Sequence, residues 1–120
     1  MDFYTLNLLL EAETIGIGLC FPYAIKLATS MLADGVFKDI RVVHGTVFPE
    51  WHHRRYWHAW VEADNRAYDW QMKTNRKGSM TIDDFYKEYK PENVKKYTPA
   101  KAVGMAIKTG KGGPWHENVL

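Results

Sequence analysis

The chain has 120 residues, 46% of them hydrophobic and 25% charged, which suits one globular domain rather than a disordered segment. Its formal net charge is +2, with Lys and Arg dispersed among carboxylates. That argues against nucleic acid or an anionic membrane as partner, since both call for a basic patch or stripe.

The spacing of Phe3, Leu6, Leu9 and Leu10 predicts a short amphipathic helix over Phe3 to Glu11. Gly16 and Gly18 make Thr14 to Gly18 a loop. A second helix is expected from Cys20 to Asp34, closed by Gly35. Pro22 is tolerated only in a first turn, where a missing N–H costs nothing, and it therefore places Cys20 at the helix start. Three strands rich in β-branched and aromatic residues follow, Ile40 to Val47, Tyr56 to Ala63 and Arg66 to Met72. Asp64-Asn65 suits a tight hairpin between the last two, because both residues tolerate positive φ. Lys73 to Ser79 is a polar loop. Thr81 with Asp84 reads as a capping box for a helix to Tyr89. Thr98-Pro99 starts a last helix to Lys108, and Gly110 onward reads as a loose tail. The fold class is α+β, with N-terminal helices packed on a small antiparallel sheet, in a single domain over residues 1–120.

Cys20 is the only cysteine. It cannot form an internal disulfide, which fits a reducing compartment. The N-terminus lacks a basic n-region and a small-residue cleavage site, and no apolar run approaches the roughly 18 residues of a membrane span. A cytoplasmic protein without a membrane partner is expected. A thiol is a nucleophile only as thiolate, and a helix N-terminus favours that form. The Cys20 amide is then the first candidate for an oxyanion donor.

A two-residue turn at Asp64-Asn65 pairs Ala63 with Arg66, Trp60 with Asp69 and His58 with Gln71. His58, Trp60, Asp69 and Gln71 then share one face, with Asp69 diagonal to His58 at about 7 Å. Ala59, Val61, Tyr68 and Trp70 fill the other, as a core face. Thiol, imidazole and carboxylate together point to nucleophilic acyl transfer.

The segment from Gly18 to Gln71 resembles the transglutaminase-like branch of papain-fold cysteine enzymes. The matching runs are Gly18-Leu19-Cys20 and the apolar helix to Gly35, the strand Arg41-Val42-Val43-His44-Gly45, His58-Ala59-Trp60-Val61-Glu62, and Tyr68-Asp69-Trp70. The resemblance implies a cysteine helix packed on an antiparallel sheet, with Cys20 as nucleophile, His58 as general base and acid, and Asp69 as the orienting carboxylate. It also implies acyl transfer through a thioester. The upstream side chains Tyr4, Asn7 and Thr14 offer no convincing second oxyanion donor, and Gln71 is on the right face for one.

The run Trp51-His52-His53-Arg54-Arg55-Tyr56-Trp57 is the most unusual composition in the chain. Trp51, Arg54, Arg55 and Trp57, with Trp60 and Gln71, are candidate substrate contacts. No second cysteine and no helical His-x-x-x-His pair exist to bind zinc, and Gly104 to Gly112 misses the phosphate-loop spacing. The expected function is therefore cofactor-free and metal-free hydrolysis of a peptide or amide bond in a peptide or protein substrate, with transamidation as the related outcome. The alternative is an inactive peptide-binding module of the same fold.

Overall fold

The computed structural model describes residues 20–69 and 79–115. Within them the chain is α+β. Helix α1 runs Cys20–Asp34, strand β1 Arg41–Val47, β2 Tyr56–Ala63, β3 Arg66–Tyr68 and β4 Ser79–Thr81. Helix α2 then covers Ile82–Tyr89, β5 Glu92–Tyr97 and α3 Pro99–Thr109. The expected helix at Phe3 to Glu11, the upstream residues Tyr4, Asn7 and Thr14, and Trp70 and Gln71 lie outside the described residues. No described helix is long and apolar enough to cross a membrane.

The five strands form one sheet in the order β4-β3-β2-β1-β5, every neighbouring pair antiparallel. The β2–β3 turn is as the sequence dictates: Asp64 and Asn65 take φ of 50° and 65°, and Ala63 pairs with Arg66. The turn is docked as well, with Asp64 Oδ1 accepting from the Lys38 amide at 2.8 Å.

Both faces of this sheet are buried. On one, Val42, Ala59, Val61 and Ala63 meet Phe21, Ala24, Ile25 and Ala28 of α1 and Ala102, Met105 and Ala106 of α3. On the other, Val43, Val47, Trp60 and Ala67 meet Phe85 and Tyr89 of α2. Helix α2 is only eight residues long, so its caps matter: Thr81 Oγ1 accepts from the Asp84 amide at 3.1 Å, and Lys90 closes the helix in a left-handed conformation.

Three expectations are corrected. Strands β4 and β5 were not anticipated; Ser79 was assigned to a loop, and β5 reads Glu-Asn-Val-Lys-Lys-Tyr, without the alternation that marks a strand. As edge strands they take their pattern from pairing rather than from burial. The expected strand over Arg66 to Met72 ends at Tyr68 within the described residues, so Asp69 stands just past it. Residues 110–115 of the expected tail are packed rather than loose, with Trp115 4% exposed and in the α1–α3 core cluster, and residues 116–120 lie outside the described residues.

Candidate active site

Cys20 opens α1, whose buried positions Cys20, Phe21, Ala24, Ile25, Ala28 and Met31 form the stripe that lies on the sheet. Pro22 sits in the first turn, as its missing N–H requires. The thiol is buried, with 6% of the residue exposed, and the cysteine is free.

His58 is the third residue of β2, and its cross-strand partner on β1 is Gly45. Continuing the β2–β3 register past Val61 and Tyr68 brings Asp69 level with Trp60 and diagonal to His58. The two side chains meet: His58 Nε2 lies 2.7 Å from Asp69 Oδ2, both almost fully buried. The Cys20 thiol lies close enough to the same ring to raise its pKa. Cys20, His58 and Asp69, chosen from sequence, are thus brought together.

Charge decides the state of the imidazole. Burial alone pushes His58 down, but the hydrogen bonds to Asp69 and Cys20, together with their charges, outweigh it and raise the pKa to about 9. His58 is therefore an imidazolium near neutral pH, bonded to the Asp69 carboxylate and with the Cys20 thiol nearby.

Aromatic rings close the site. Tyr89 lies parallel to His58, Trp60 is stacked at 26° with centroids 6.2 Å apart, and Tyr56 meets it edge-on at 5.7 Å. Tyr89 escaped the sequence reading. Its signal was the Phe85/Tyr89 pair at i and i+4, which marks the inward stripe of α2.

The proposed substrate contacts separate into two groups. Trp51 is 59% exposed and Trp57 38%, and Arg54 is exposed, so all three present surface to solvent. Trp51 also meets Tyr89 edge-on at 6.2 Å, one ring away from His58, and lines a cavity of about 570 Å³ with Glu50, Met80, Asp84, Lys87 and Glu88.

Arg55 and Trp60 are corrections. Arg55 donates to the carbonyls of Thr46 and Lys90 at 3.0 and 2.9 Å and pairs with Glu92 at 3.4 Å, so its fork ties the β1–β2 connection to the end of α2. Trp60 is 1% exposed, donates to Glu62 Oε2 at 2.9 Å and packs on Phe85, which makes it core. Both were read from residue type, and type alone does not say which way a strand residue faces. Gln71 lies outside the described residues. Among the described residues no group of three His, Cys, Asp or Glu side chains could hold a metal ion.

No protein-family model, curated protein or solved structure matches the chain.

Proposed function

We propose that this protein is a minimal transglutaminase-like thiol enzyme that hydrolyses a peptide or amide bond. One observation carries the reading: a single buried imidazole is shared between Asp69 and Cys20. A histidine placed only for packing has no need of both partners.

Cys20 acts as thiolate beside the His58 imidazolium. Sulfur attacks the carbonyl carbon, the S–C bond forms, and the carbonyl electron pair moves to oxygen. The Cys20 amide, at the start of α1, is the first donor to that oxyanion. As the C–N bond breaks, the imidazolium gives its proton to the departing nitrogen, leaving a thioester and a free amine. Neutral His58 then takes a proton from water, the water oxygen attacks the thioester, and the C–S bond breaks to return the thiolate. Asp69 holds the ring in one orientation and favours its cationic form throughout. An amine in place of that water would give transamidation instead. Trp51, Arg54 and Trp57 form the substrate rim, and a working thiol suits a reducing compartment such as the cytoplasm. The steps call on no cofactor.

A second reading, a peptide-binding module without catalysis, is favoured by the burial of Cys20. Alkylation separates the two. In the enzyme, iodoacetamide labels native Cys20 near neutral pH, and His58→Ala slows labelling by about tenfold or more. A thiol that reacts only after denaturation overturns the catalytic reading and leaves the binding module.

A further inference from the structure

His44 plays no part in the chemistry above, yet it is one of the most deeply buried polar residues described, 1% exposed. Among the described residues neither ring nitrogen has a hydrogen-bond partner. Its surroundings are rings: Phe21 edge-on at 5.0 Å, Tyr97 at 5.2 Å and Trp115 at 4.8 Å. Leaving a buried polar group unpaired carries a desolvation cost that nothing repays. A leucine would fill the same space without that cost.

What covers His44 is the stretch after α3. Helix α3 ends at Gly110, the chain turns, and Gly113 comes so close that a Cβ there would lie 2.6 Å from His44 Cε1 and 2.9 Å from Phe21 Cδ1. Two residues on, Trp115 seats its ring on the imidazole and donates its Nε1–H to the Lys111 carbonyl at 3.0 Å. We infer that residues 110–115 are an acid-released strap, seated on neutral His44 and lifted when that imidazole takes a proton.

The groups around His44 offer a proton no compensation. On its own strand Val42 and Thr46 share its face, and β2 contributes Trp57, Ala59 and Val61 there. Strand β5 contributes Lys95, directly opposite, and Tyr97. Helix α1 contributes Phe21 beside the Cys20 thiol, α3 the apolar Ala102, Met105 and Ala106, and the strap Lys111 and Trp115. The β5 carboxylate opposite Thr46, Glu92, is largely exposed and paired with Arg55, and Lys95 adds like charge. Cation–π attraction to the rings does not replace the hydrogen bonds that a buried imidazolium requires. Burial accordingly holds His44 near a pKa of about 3 in the seated state.

The functional consequence rests on the catalytic reading. Strap and imidazole both bear on Phe21, the residue after Cys20, so lifting the strap frees the turn of α1 that carries the nucleophile. Acid would then loosen the site before it unfolds the domain.

Hydrogen exchange read by mass spectrometry tests the strap without reference to activity. After correction for intrinsic exchange, protection across 110–115 should fall about tenfold for each pH unit below about 6.5, while β1 and β2 amides stay protected. In His44→Phe that dependence should vanish. Gly113→Ala, whose added methyl collides with the imidazole, should lose strap protection already at neutral pH. Protection that persists in acid, loss in step with β1 and β2, an unchanged acid response in His44→Phe, or a seated strap in Gly113→Ala would each overturn the inference. A strap that lifts while Cys20 alkylation stays silent at every pH keeps the switch and removes the catalytic reading instead.

Discussion

Tyr89 and His58 are parallel, their planes 7° apart and their centroids separated by 6.1 Å. Tyr89 comes from the last turn of α2 and is itself stacked on Phe85 at 4.2 Å, so a short helix supplies the wall that holds the imidazole flat. The Phe48 amide donates to the Tyr89 carbonyl at 2.8 Å, which ties that turn to the end of β1. The phenol is pushed well above its ordinary range by burial first and then by the charge of Asp69, so it stays neutral beside the His58–Asp69 pair.

Removing the ring therefore has two effects. Tyr89→Ala should cost about 3–5 kcal/mol in urea unfolding, the usual loss for a buried aromatic. It should also relieve part of the burial that pushes His58 down, so with the Asp69 bond kept its NMR titration should move up from about 9. Tyr89→Phe keeps the wall and should leave the titration where it is.

The two buried histidines pull stability in opposite directions with pH. His58 has its folded pKa raised from 6.5 to about 9. Its contribution is complete below 6.5 and is lost as pH rises through 9, on the order of 3 kcal/mol in all. His44 has its folded pKa lowered from 6.5 to about 3, so the unfolded chain binds more protons between those values and stability falls as pH drops below 6.5. Chemical denaturation across pH should peak where neither group works against the fold, near pH 6.5. Asp69→Asn should flatten the alkaline limb and His44→Phe the acid limb.

Asp69→Asn bears on the chemistry as well. The amide oxygen can still accept from Nε2, so the ring keeps its place while losing the charge that favours imidazolium. Alkylation of Cys20 near neutral pH should slow, and acyl transfer should drop by about 100-fold or more. An unchanged acyl-transfer rate would remove Asp69 from the mechanism.

Much of this site was legible because its positions are fixed by local rules. Pro22 fixes the start of α1 and with it Cys20, and two turn residues that accept positive φ fix the register that sets Asp69 diagonal to His58. The rest depended on tertiary pairing. In β2 the run from His58 to Ala63 is buried throughout, because α1 and α2 cover opposite faces of the sheet, and the alternation of residue types does not reveal that. Trp60 was accordingly taken for a substrate contact. Strand β5 has no apolar period and exists because β1 offers it an edge. His44 gave no signal at all, since nothing local distinguishes a caged histidine from a solvated one.

Glu62, the last residue of the His58-to-Glu62 run, is the remaining test of how the site is supported. It is 4% exposed; its Oε2 accepts from Trp60 Nε1 at 2.9 Å and from the Tyr86 hydroxyl at 2.8 Å, while Oε1 lies 2.9 Å from Lys96 Nζ. Lys96 is half exposed, so its ion pair is screened and Lys96→Ala should cost under about 1 kcal/mol. Glu62→Leu leaves the Trp60 and Tyr86 donors without an acceptor in a buried setting and should cost about 3 kcal/mol. Glu62→Gln keeps an acceptor oxygen for those donors and should fall between the two. The loss should reach the site too, because Trp60 stands between Phe85 at 4.9 Å and His58 at 6.2 Å. Urea unfolding orders the three variants, and the NMR titration of His58 in Glu62→Leu should depart from its wild-type value as the packing around the ring loosens.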